Sequence, residues 1–171
     1  MIICISGLSG SGKNAVGELV AKALGLKEIK LSFKDEAKRL GIGLMELQRL
    51  ASKDFSFDKK LDKKILDEAN KGNCVVTTWL CSWLVKGATL RIWLNASEDV
   101  RAKRLGKRDK MTHSQALTHL RKRDANNRKR YLKYYNIDIQ NHEMFDLEIN
   151  TAKFTPQQIA DIVVTAAKNK R

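Results

Sequence analysis

A glycine-rich segment near the start of the sequence has the residue types and spacing that bind phosphate groups. Residues 7–13 read GLSGSGK, the pattern G-x-x-x-x-G-K, and they follow an apolar run at residues 2–6. Glycines let the backbone turn successive N–H groups inward around a phosphate, and the N-terminus of a following helix adds positive potential. The residues predicted to bind a nucleoside triphosphate are Gly7, Ser9, Gly10, Ser11, Gly12, Lys13 and Asn14.

The last two residues of this segment would supply a charge and a metal ligand. Lys13 is placed to neutralise the β- and γ-phosphates of the nucleotide. The usual pattern has serine or threonine at the next position, where the hydroxyl binds Mg²⁺. This sequence has Asn14 there. Its side-chain carbonyl is also an oxygen donor but differs in reach and dipole, so we expect Asn14 to be a weak Mg²⁺ ligand.

The sequence carries a large excess of positive charge, most of it in one window. Lys and Arg number 33 against 19 Asp and Glu, which gives a net charge of +14. Residues 101–133 contain 13 basic and two acidic side chains, so +11 of the charge lies there. Such a patch is expected to bind anions, first nucleotide phosphates and, as a secondary partner, nucleic acid. The alternative interpretation is a solvated helical face.

Apolar patterning predicts the strands and helices that would position these residues. The predicted strands are residues 2–6, 27–31, 73–77, 90–94 and 146–150. The predicted helices are residues 13–24, 33–40, 44–52, 57–71, 98–108, 113–134 and a last helix that starts at Pro156. Thr112 with Gln115 and Thr155 with Gln158 have the spacing of capping boxes. The alternation predicts an α/β fold with a mostly parallel sheet, in a single domain over residues 1–171.

Length and composition narrow the class of protein. A chain of 171 residues is the usual size of one domain, and it contains no apolar run of the ~18–20 residues that span a membrane. The glycine loop starts too early for a signal peptide to precede it, so we expect a cytoplasmic protein with no membrane partner. Cys4, Cys74 and Cys81 form no ligand pair, and Cys4 and Cys74, which lie in apolar runs, are predicted to be core residues.

With the phosphate loop, several segments give the chain a resemblance to nucleoside monophosphate kinases, most of all to archaeal-type cytidylate kinases. The matching segments are LRIWLNA at 90–96 with VRA at 100–102, the R-Y-x-x-x-Y-x-I-D-I pattern at 130–139, D-L-x-I-N-T at 146–151, KGN at 71–73, and the pair Asp58 and Asp62. The resemblance covers nearly the whole chain.

This resemblance implies a fold and an activity. The fold would be a three-layer α/β/α P-loop NTPase fold with a five-stranded parallel sheet. The acceptor would bind in a helical region at about 32–72, and an Arg-rich helical lid would span about 101–133. The family transfers the γ-phosphoryl group of ATP to CMP or dCMP with Mg²⁺, and it is often monomeric.

The resemblance and the helical spacing together assign roles to individual residues. Lys13 would hold the donor phosphates, while Arg104 and Arg108, four residues apart on one helix, would close over them. Arg123, Asp124 and Arg128 resemble the family's later Arg/Asp cluster, which reaches the acceptor and the transferred phosphate. The residues expected to be catalytic are Lys13, Arg104, Arg108 and Arg128. Those expected to bind the acceptor are Lys34, Asp58, Trp79, Arg123 and Asp124.

The acceptor site departs from the family pattern after the third strand. The family has an acid, a glycine and an arginine there, whereas this sequence has Thr77, Thr78 and Trp79. Asp35 and Asp58 are the nearby carboxylates that would replace the lost acid. Two alternatives follow. One is a P-loop small-molecule kinase with a changed acceptor, and the other is a nucleotide-gated RNA-associated protein without kinase turnover.

Overall fold

Five parallel strands form one sheet in the computed structural model, which describes residues 1–170. The strands are β1 (Ile2–Ser6), β2 (Lys27–Ile29), β3 (Cys74–Val76), β4 (Leu90–Asn95) and β5 (Leu147–Asn150). Their order across the sheet is β2-β3-β1-β4-β5, and every neighbouring pair is parallel. The glycine loop therefore follows the central strand, where ligands of open parallel sheets bind.

Within residues 1–170, seven helices lie between these strands and an eighth follows the last strand. They are α1 (Lys13–Leu24), α2 (Phe33–Arg39), α3 (Leu44–Ala51), α4 (Ser56–Ala69), α5 (Cys81–Leu84), α6 (Glu98–Asp109), α7 (His113–Tyr135) and α8 (Pro156–Asn169). Seven of them were predicted from periodicity. The helix α5 was not predicted, because one turn of helix is too short to show a period of 3.6 residues.

Side-chain caps fix where several helices begin. Thr112 accepts a hydrogen bond from the backbone N–H of Gln115 at 3.3 Å and donates its own N–H to the Gln115 side chain at 2.9 Å. The same reciprocal pair forms between Thr155 and Gln158. Both predicted capping boxes are therefore present. A third, between Ser32 and Asp35, starts α2 and was not predicted.

Apolar side chains cover both faces of the sheet. On one face, β1 packs against α1 and α8 through residues such as Ile3, Val20 and Val163. On the other face, Cys4 and Val76 pack against α4 and α5. Burial on both faces is typical of parallel sheets whose crossover helices lie on both sides. The predicted three-layer α/β/α fold with a five-stranded parallel sheet is confirmed.

Two of the connections between strands contain the helices of the predicted acceptor region and lid. Between β2 and β3, the chain forms α2, α3 and α4, which fall in the predicted acceptor region of about 32–72. Between β4 and β5 it forms α6 and α7, which contain the predicted lid of about 101–133. Cys4 and Cys74 are buried free thiols, as predicted, and Cys81 is buried and free as well. Within residues 1–170, no helix is both long enough and apolar enough to cross a bilayer.

Candidate functional site

A cavity of about 930 Å³ opens beside the glycine loop, past the carboxyl ends of β2 and β3. The predicted site residues that line it are Ser9, Gly10, Gly12, Lys13, Asn14, Lys34, Asp58, Trp79, Arg104, Arg108 and Arg123. Gly7, Ser11, Asp124 and Arg128 are not among the lining residues. The fold thus brings together residues from the phosphate loop, the predicted acceptor region and the predicted lid.

The glycine loop adopts backbone conformations that only glycine tolerates well. Gly10 has φ of 79° and Gly12 has φ of 98°, both in the left-handed region. A Cβ atom at Gly10 would also lie 2.8 Å from the carbonyl oxygen of Arg101 on α6. Gly12 caps the N-terminus of α1, so the loop delivers the chain into a helix start where an anion is favoured.

Lys13 is a buried cation at the centre of this loop. Its side chain is 8% exposed, and Nζ donates a hydrogen bond to the carbonyl oxygen of Leu8 at 3.1 Å. Burial, and after it the nearby positive charge of Arg123, lowers the pKa of Lys13 to about 7. Nζ also lies 5.8 Å from the centre of the Trp79 ring. A bound phosphate would restore the charged form of this lysine.

Arg123 is a second buried cation on the same cavity. It is 9% exposed, and its Nε is buried without a hydrogen-bond partner in the part of the chain that the structure describes. Burial is the main cause that lowers its pKa. Asn127, one turn further along α7, is 2% exposed and its side-chain oxygen also lacks a partner among residues 1–170. The unpartnered Nε–H of Arg123 marks a place where an anionic ligand would complete the site, whereas the Asn127 oxygen needs a hydrogen-bond donor.

Three more predicted cations lie on the cavity wall, and each already has a partner. Arg104 donates to Thr151 Oγ1 and to its backbone oxygen, both at 2.8 Å, and to the Gly10 carbonyl at 3.3 Å. Arg108 forms two hydrogen bonds with Asp109, at 3.0 and 2.7 Å. Lys34 donates to the same carboxylate at 2.9 Å, so Asp109 joins the predicted lid to α2.

The floor of the cavity below α2 is built around a buried ion pair. Arg130 is 3% exposed and binds both oxygens of Asp58, with Nε at 3.1 Å from Oδ2 and Nη2 at 3.2 Å from Oδ1. Its Nη1 donates to the side chain of Gln48 at 2.8 Å. The ring of Phe33 lies 4.8 Å from the guanidinium carbon. Arg130 thus holds Asp58 in place. No role was predicted for Arg130.

A second carboxylate lies one turn further along α4. Asp62 accepts a hydrogen bond from the Tyr135 hydroxyl. Burial raises the pKa of Asp62 to about 6. The sequence analysis noted both Asp62 and the spacing of the tyrosines, but burial, which perturbs the carboxyl group, could not be read from the sequence.

The segment after β3 places an aromatic ring against the phosphate loop. Trp79 lines the cavity between Lys13 and Tyr131, whose ring centre is 6.0 Å away. Thr77 is 4% exposed, and its hydroxyl has no partner among the described residues. Asp35 lines the cavity too, but its carboxylate accepts a hydrogen bond from the backbone N–H of Ser32 in the capping box of α2.

Two predicted site residues on α7, Arg128 and Asp124, lie outside the cavity wall. The Arg128 side chain is 47% exposed, and its nearest acidic partner is Asp138 at 3.7 Å. Its predicted catalytic role has no support from this position. Asp124 instead binds Arg101 at 2.7 Å. Arg101 is 6% exposed and was missed as a site residue, since the sequence showed only one more arginine in a basic helix.

The residues present fit a metal that arrives with its nucleotide. Within residues 1–170, no group of three or more His, Cys, Asp or Glu side chains could hold a metal ion. The oxygen donors at the loop are the Asn14 side chain and the buried, unpartnered hydroxyls of Ser9 and Ser11. Mg²⁺ usually keeps waters and shares phosphate oxygens with few protein ligands. Asn14 therefore suits Mg²⁺ bound to a nucleotide.

Comparison with known proteins gives relatives over the whole chain. A sequence profile of the cytidylate kinase-like family matches residues 2–153. The cytidylate kinase of Pyrococcus horikoshii is 38% identical over 168 residues, which cover 97% of this chain and 88% of that protein. The cytidylate kinase of Sulfolobus acidocaldarius is 37% identical over 174 residues, covering 99% and 96%.

Solved structures agree with this fold at lower sequence identity. The shikimate kinase from Acinetobacter baumannii superposes with a TM-score of 0.59 and 19% identity, over 99% of this chain and 94% of that one. At this level of identity the similarity concerns the fold alone.

Proposed function

Because this chain belongs to the cytidylate kinase-like family of phosphotransferases, we propose that it transfers the γ-phosphoryl group of ATP to CMP or dCMP. Family membership makes it a nucleotide-binding kinase. The choice of acceptor rests on the names of relatives that are 37–38% identical. The products would be ADP and the cytidine or deoxycytidine diphosphate.

One observation carries this proposal: two buried cations, Lys13 and Arg123, line the same cavity, close enough for Arg123 to lower the pKa of Lys13. Lys13 donates to a backbone carbonyl, and Arg123 Nε has no partner among residues 1–170. A buried cation costs several kcal/mol unless an anion offsets it. A phosphoryl group between the two would offset both charges and accept bidentate hydrogen bonds from the guanidinium.

Phosphoryl transfer depends on the positive charges of Lys13 and Arg123 more than on a general base. An oxygen of the acceptor's phosphate would attack the γ-phosphorus as the bond to the ADP oxygen breaks. That oxygen already carries negative charge, so no proton has to leave it. Lys13 would hold the β- and γ-phosphates, and Arg123 would stay with the moving phosphoryl group. Mg²⁺ bound to ATP near Asn14 would neutralise β- and γ-oxygens.

The cations at the rim would act after the substrates bind. Arg108 and Lys34 are both more than half exposed and share Asp109, so their side chains can exchange this carboxylate for phosphate oxygens. Arg104 would keep the phosphate loop in place through its contacts with Gly10 and Thr151.

The acceptor would lie over the part of the cavity wall that contains Asp58 and Gln48, the two side chains that Arg130 binds. Phe33 and Leu61 provide apolar walls on this side, and Asp62 and Lys34 provide polar groups. Trp79 offers a ring face to a base or a sugar at the edge of the same space. Arg130 does not line the cavity, and it would fix the position of Asp58, which does.

Trp79 also favours a second candidate, a P-loop kinase for a different small molecule. An aromatic ring stands where the family pattern has an arginine that contacts the acceptor nucleotide. An acceptor without its own phosphate would not need that arginine. This candidate predicts ATP turnover with a non-nucleotide hydroxyl compound and none with CMP.

Three further properties stay predictions. We expect a cytoplasmic monomer, with secondary affinity for nucleic acid through exposed lysines of α7. Lys122, Lys129 and Lys133 are exposed there.

A panel of acceptors tests the proposed function. ATP and Mg²⁺ would be incubated with CMP, dCMP, UMP, AMP or GMP, with a blank that lacks acceptor, and the diphosphate products would be quantified. Phosphorylation of CMP or dCMP above the other monophosphates supports the proposal. Turnover of shikimate-like or sugar-like alcohols in its place would favour the second candidate.

A further inference from the structure

Arg101 is a buried arginine that the transfer step does not use, and it joins three parts of the fold. Its Nε donates to the carbonyl oxygen of Ala96 at 3.2 Å, just after β4. Its Nη1 donates to the Ser9 carbonyl at 3.2 Å and to Asp124 at 2.7 Å. One guanidinium thus connects the central sheet, the phosphate loop and α7.

The contact with Ser9 fixes the orientation of a peptide group in the phosphate loop. In a trans peptide the carbonyl and the next N–H point in opposite directions. While Arg101 holds the Ser9 carbonyl, the N–H of Gly10 must point away from Arg101. Gly10 also passes so close to α6 that a Cβ atom there would lie 3.0 Å from the Arg101 Cβ. The loop is therefore seated on α6 at this residue.

The contact with Asp124 fixes α7 in the same way. Asp124 directly follows Arg123, so holding its carboxylate also holds the backbone that carries Arg123. Repulsion between Lys13 and Arg123 favours separation of these two cations, and it contributes to the lowered pKa of Lys13. Bonds between the phosphate loop and α7 are needed to keep Lys13 and Arg123 close to each other.

We propose that Arg101 and Asp124 are positioning residues that hold the phosphate loop and Arg123 in the relative position that phosphoryl transfer requires. This inference rests on the proposed kinase function. It also replaces the acceptor-binding role predicted for Asp124 by an indirect role through Arg101.

A second ion pair between the same two helices provides a matched control. Glu98 on α6 binds Arg121 on α7 at 2.7 Å, with the same separation of 23 residues in the chain. These side chains are 40% and 61% exposed, against 7% and 19% for Arg101 and Asp124. The exposed pair reaches neither the loop nor the cavity.

The test compares three variants with the wild type. The double variant R101M/D124L removes both charges and fills the space with apolar side chains, a replacement that buried ion pairs often tolerate. R101K keeps the charge beside Asp124 but lacks the fork that reaches Ser9 and Ala96. E98Q breaks the control pair. Each is measured for thermal unfolding, kcat, acceptor KM and ATP affinity by calorimetry.

We expect the two Arg101 variants to stay folded and to lose kcat by about 100-fold in the double variant and about tenfold in R101K. ATP affinity should fall by about tenfold, because the Gly10 N–H would no longer be held in its orientation and one hydrogen bond to phosphate would be weakened. Acceptor KM should change less than about threefold, because Arg130 and Asp58 hold the floor independently. E98Q should match the wild type within about threefold in every parameter.

The outcomes decide the proposal in each case. Wild-type kcat and ATP affinity in folded R101K, or in the folded double variant, would overturn it. Equal losses in E98Q would also overturn it, since they would reflect only the packing of α6 against α7. If the double variant fails to fold, R101K decides alone.

Calorimetry separates this inference from the proposed function. If the wild type phosphorylates no nucleotide, the kinase proposal fails. ATP binding can still be compared between the wild type and R101K. Weaker ATP binding in the variant would then support the link between Arg101 and the loop, and equal binding would refute it.

Discussion

The ammonium group of Lys13 lies 5.8 Å from the centre of the Trp79 ring. The phosphate-loop lysine is thus in contact with an aromatic ring at a position where the family pattern has a cation. A ring quadrupole attracts a cation, whereas a second cation would repel it. Trp79 therefore leaves Arg123 as the buried cation that shares the phosphate site with Lys13.

The position of Trp79 predicts a fluorescence signal for nucleotide binding. Of the three tryptophans, Trp79 lines the cavity, while Trp83 and Trp93 pack against each other and against Phe145. Titration with ATP should change the intrinsic fluorescence of the wild type. Trp79→Phe should keep ATP binding by calorimetry and lose most of the fluorescence change. Trp83→Phe serves as the control, and loss of the signal in that variant would contradict this assignment.

The affinity for ATP should fall as the pH rises above about 7. Burial lowers the pKa of Lys13 to about 7 from its ordinary 10.5, so in the free protein this side chain loses its proton above neutral pH. Phosphate binding favours the charged form, and the proton must then be taken up on binding. Calorimetry at pH 8 in two buffers of different ionisation enthalpy should show proton uptake. Affinity that is constant from pH 6.5 to 9 would contradict the prediction.

Replacement of Arg123 should lower the activity and raise the stability of the protein. In Arg123→Met, the unpartnered buried charge is removed, so the free energy of unfolding should rise by about 1 kcal/mol, or about 2–4 °C in Tm. Turnover should fall by about 100-fold or more, because a preorganised phosphate contact is lost. Thermal unfolding and steady-state kinetics measure the two effects. A variant that is less stable than the wild type would show that Arg123 is satisfied in the free protein.

The close approach of α1 to β3 predicts a substitution and its rescue. A Cβ atom on Gly17 would lie 2.1 Å from the methyl carbon of Thr77. Gly17→Ala should therefore destabilise the protein by about 1–3 kcal/mol through overpacking. Thr77→Ser removes that methyl group, and the double variant should recover most of the loss in urea unfolding. Equal stability of the single and double variants would show that the strain lies elsewhere.

The ion pair of Arg130 and Asp58 should contribute strongly to folding because it is buried. Asp58→Asn leaves Arg130 without its carboxylate and should cost about 3–5 kcal/mol in the free energy of unfolding. Asp67→Asn breaks an exposed pair with Lys63 on the same helix and should cost less than about 0.5 kcal/mol. Similar losses in both variants, measured by urea unfolding, would contradict the buried role.

The sequence predicted the elements well because their signals are local. All five strands and seven helices follow from apolar periodicity, and the glycine loop is a contiguous motif that folds as its own pattern indicates. The helix α5 had no such signal. Cap residues such as Thr112 were readable for the same reason, since the cap and its partner are three residues apart.

The site was only partly predictable, since many of its contacts are long-range. Arg101 and Arg130 look like any other arginine of the basic window, and their partners Ser9, Asp124 and Asp58 are 92, 23 and 72 residues away. Conversely, Arg128 has the spacing of a site residue but lies outside the cavity wall. A charged window predicts that anions bind, but only burial distinguishes the cations that bind them.

The most direct test of the account is the rate of ADP formation from ATP with and without CMP, in the wild type and in Lys13→Met. If the protein is a CMP kinase, CMP accelerates ADP formation in the wild type, CDP appears in equal amount, and Lys13→Met loses the CMP-dependent rate while remaining folded. ADP formation that is independent of CMP, or a CMP-dependent rate that survives in Lys13→Met, would contradict it.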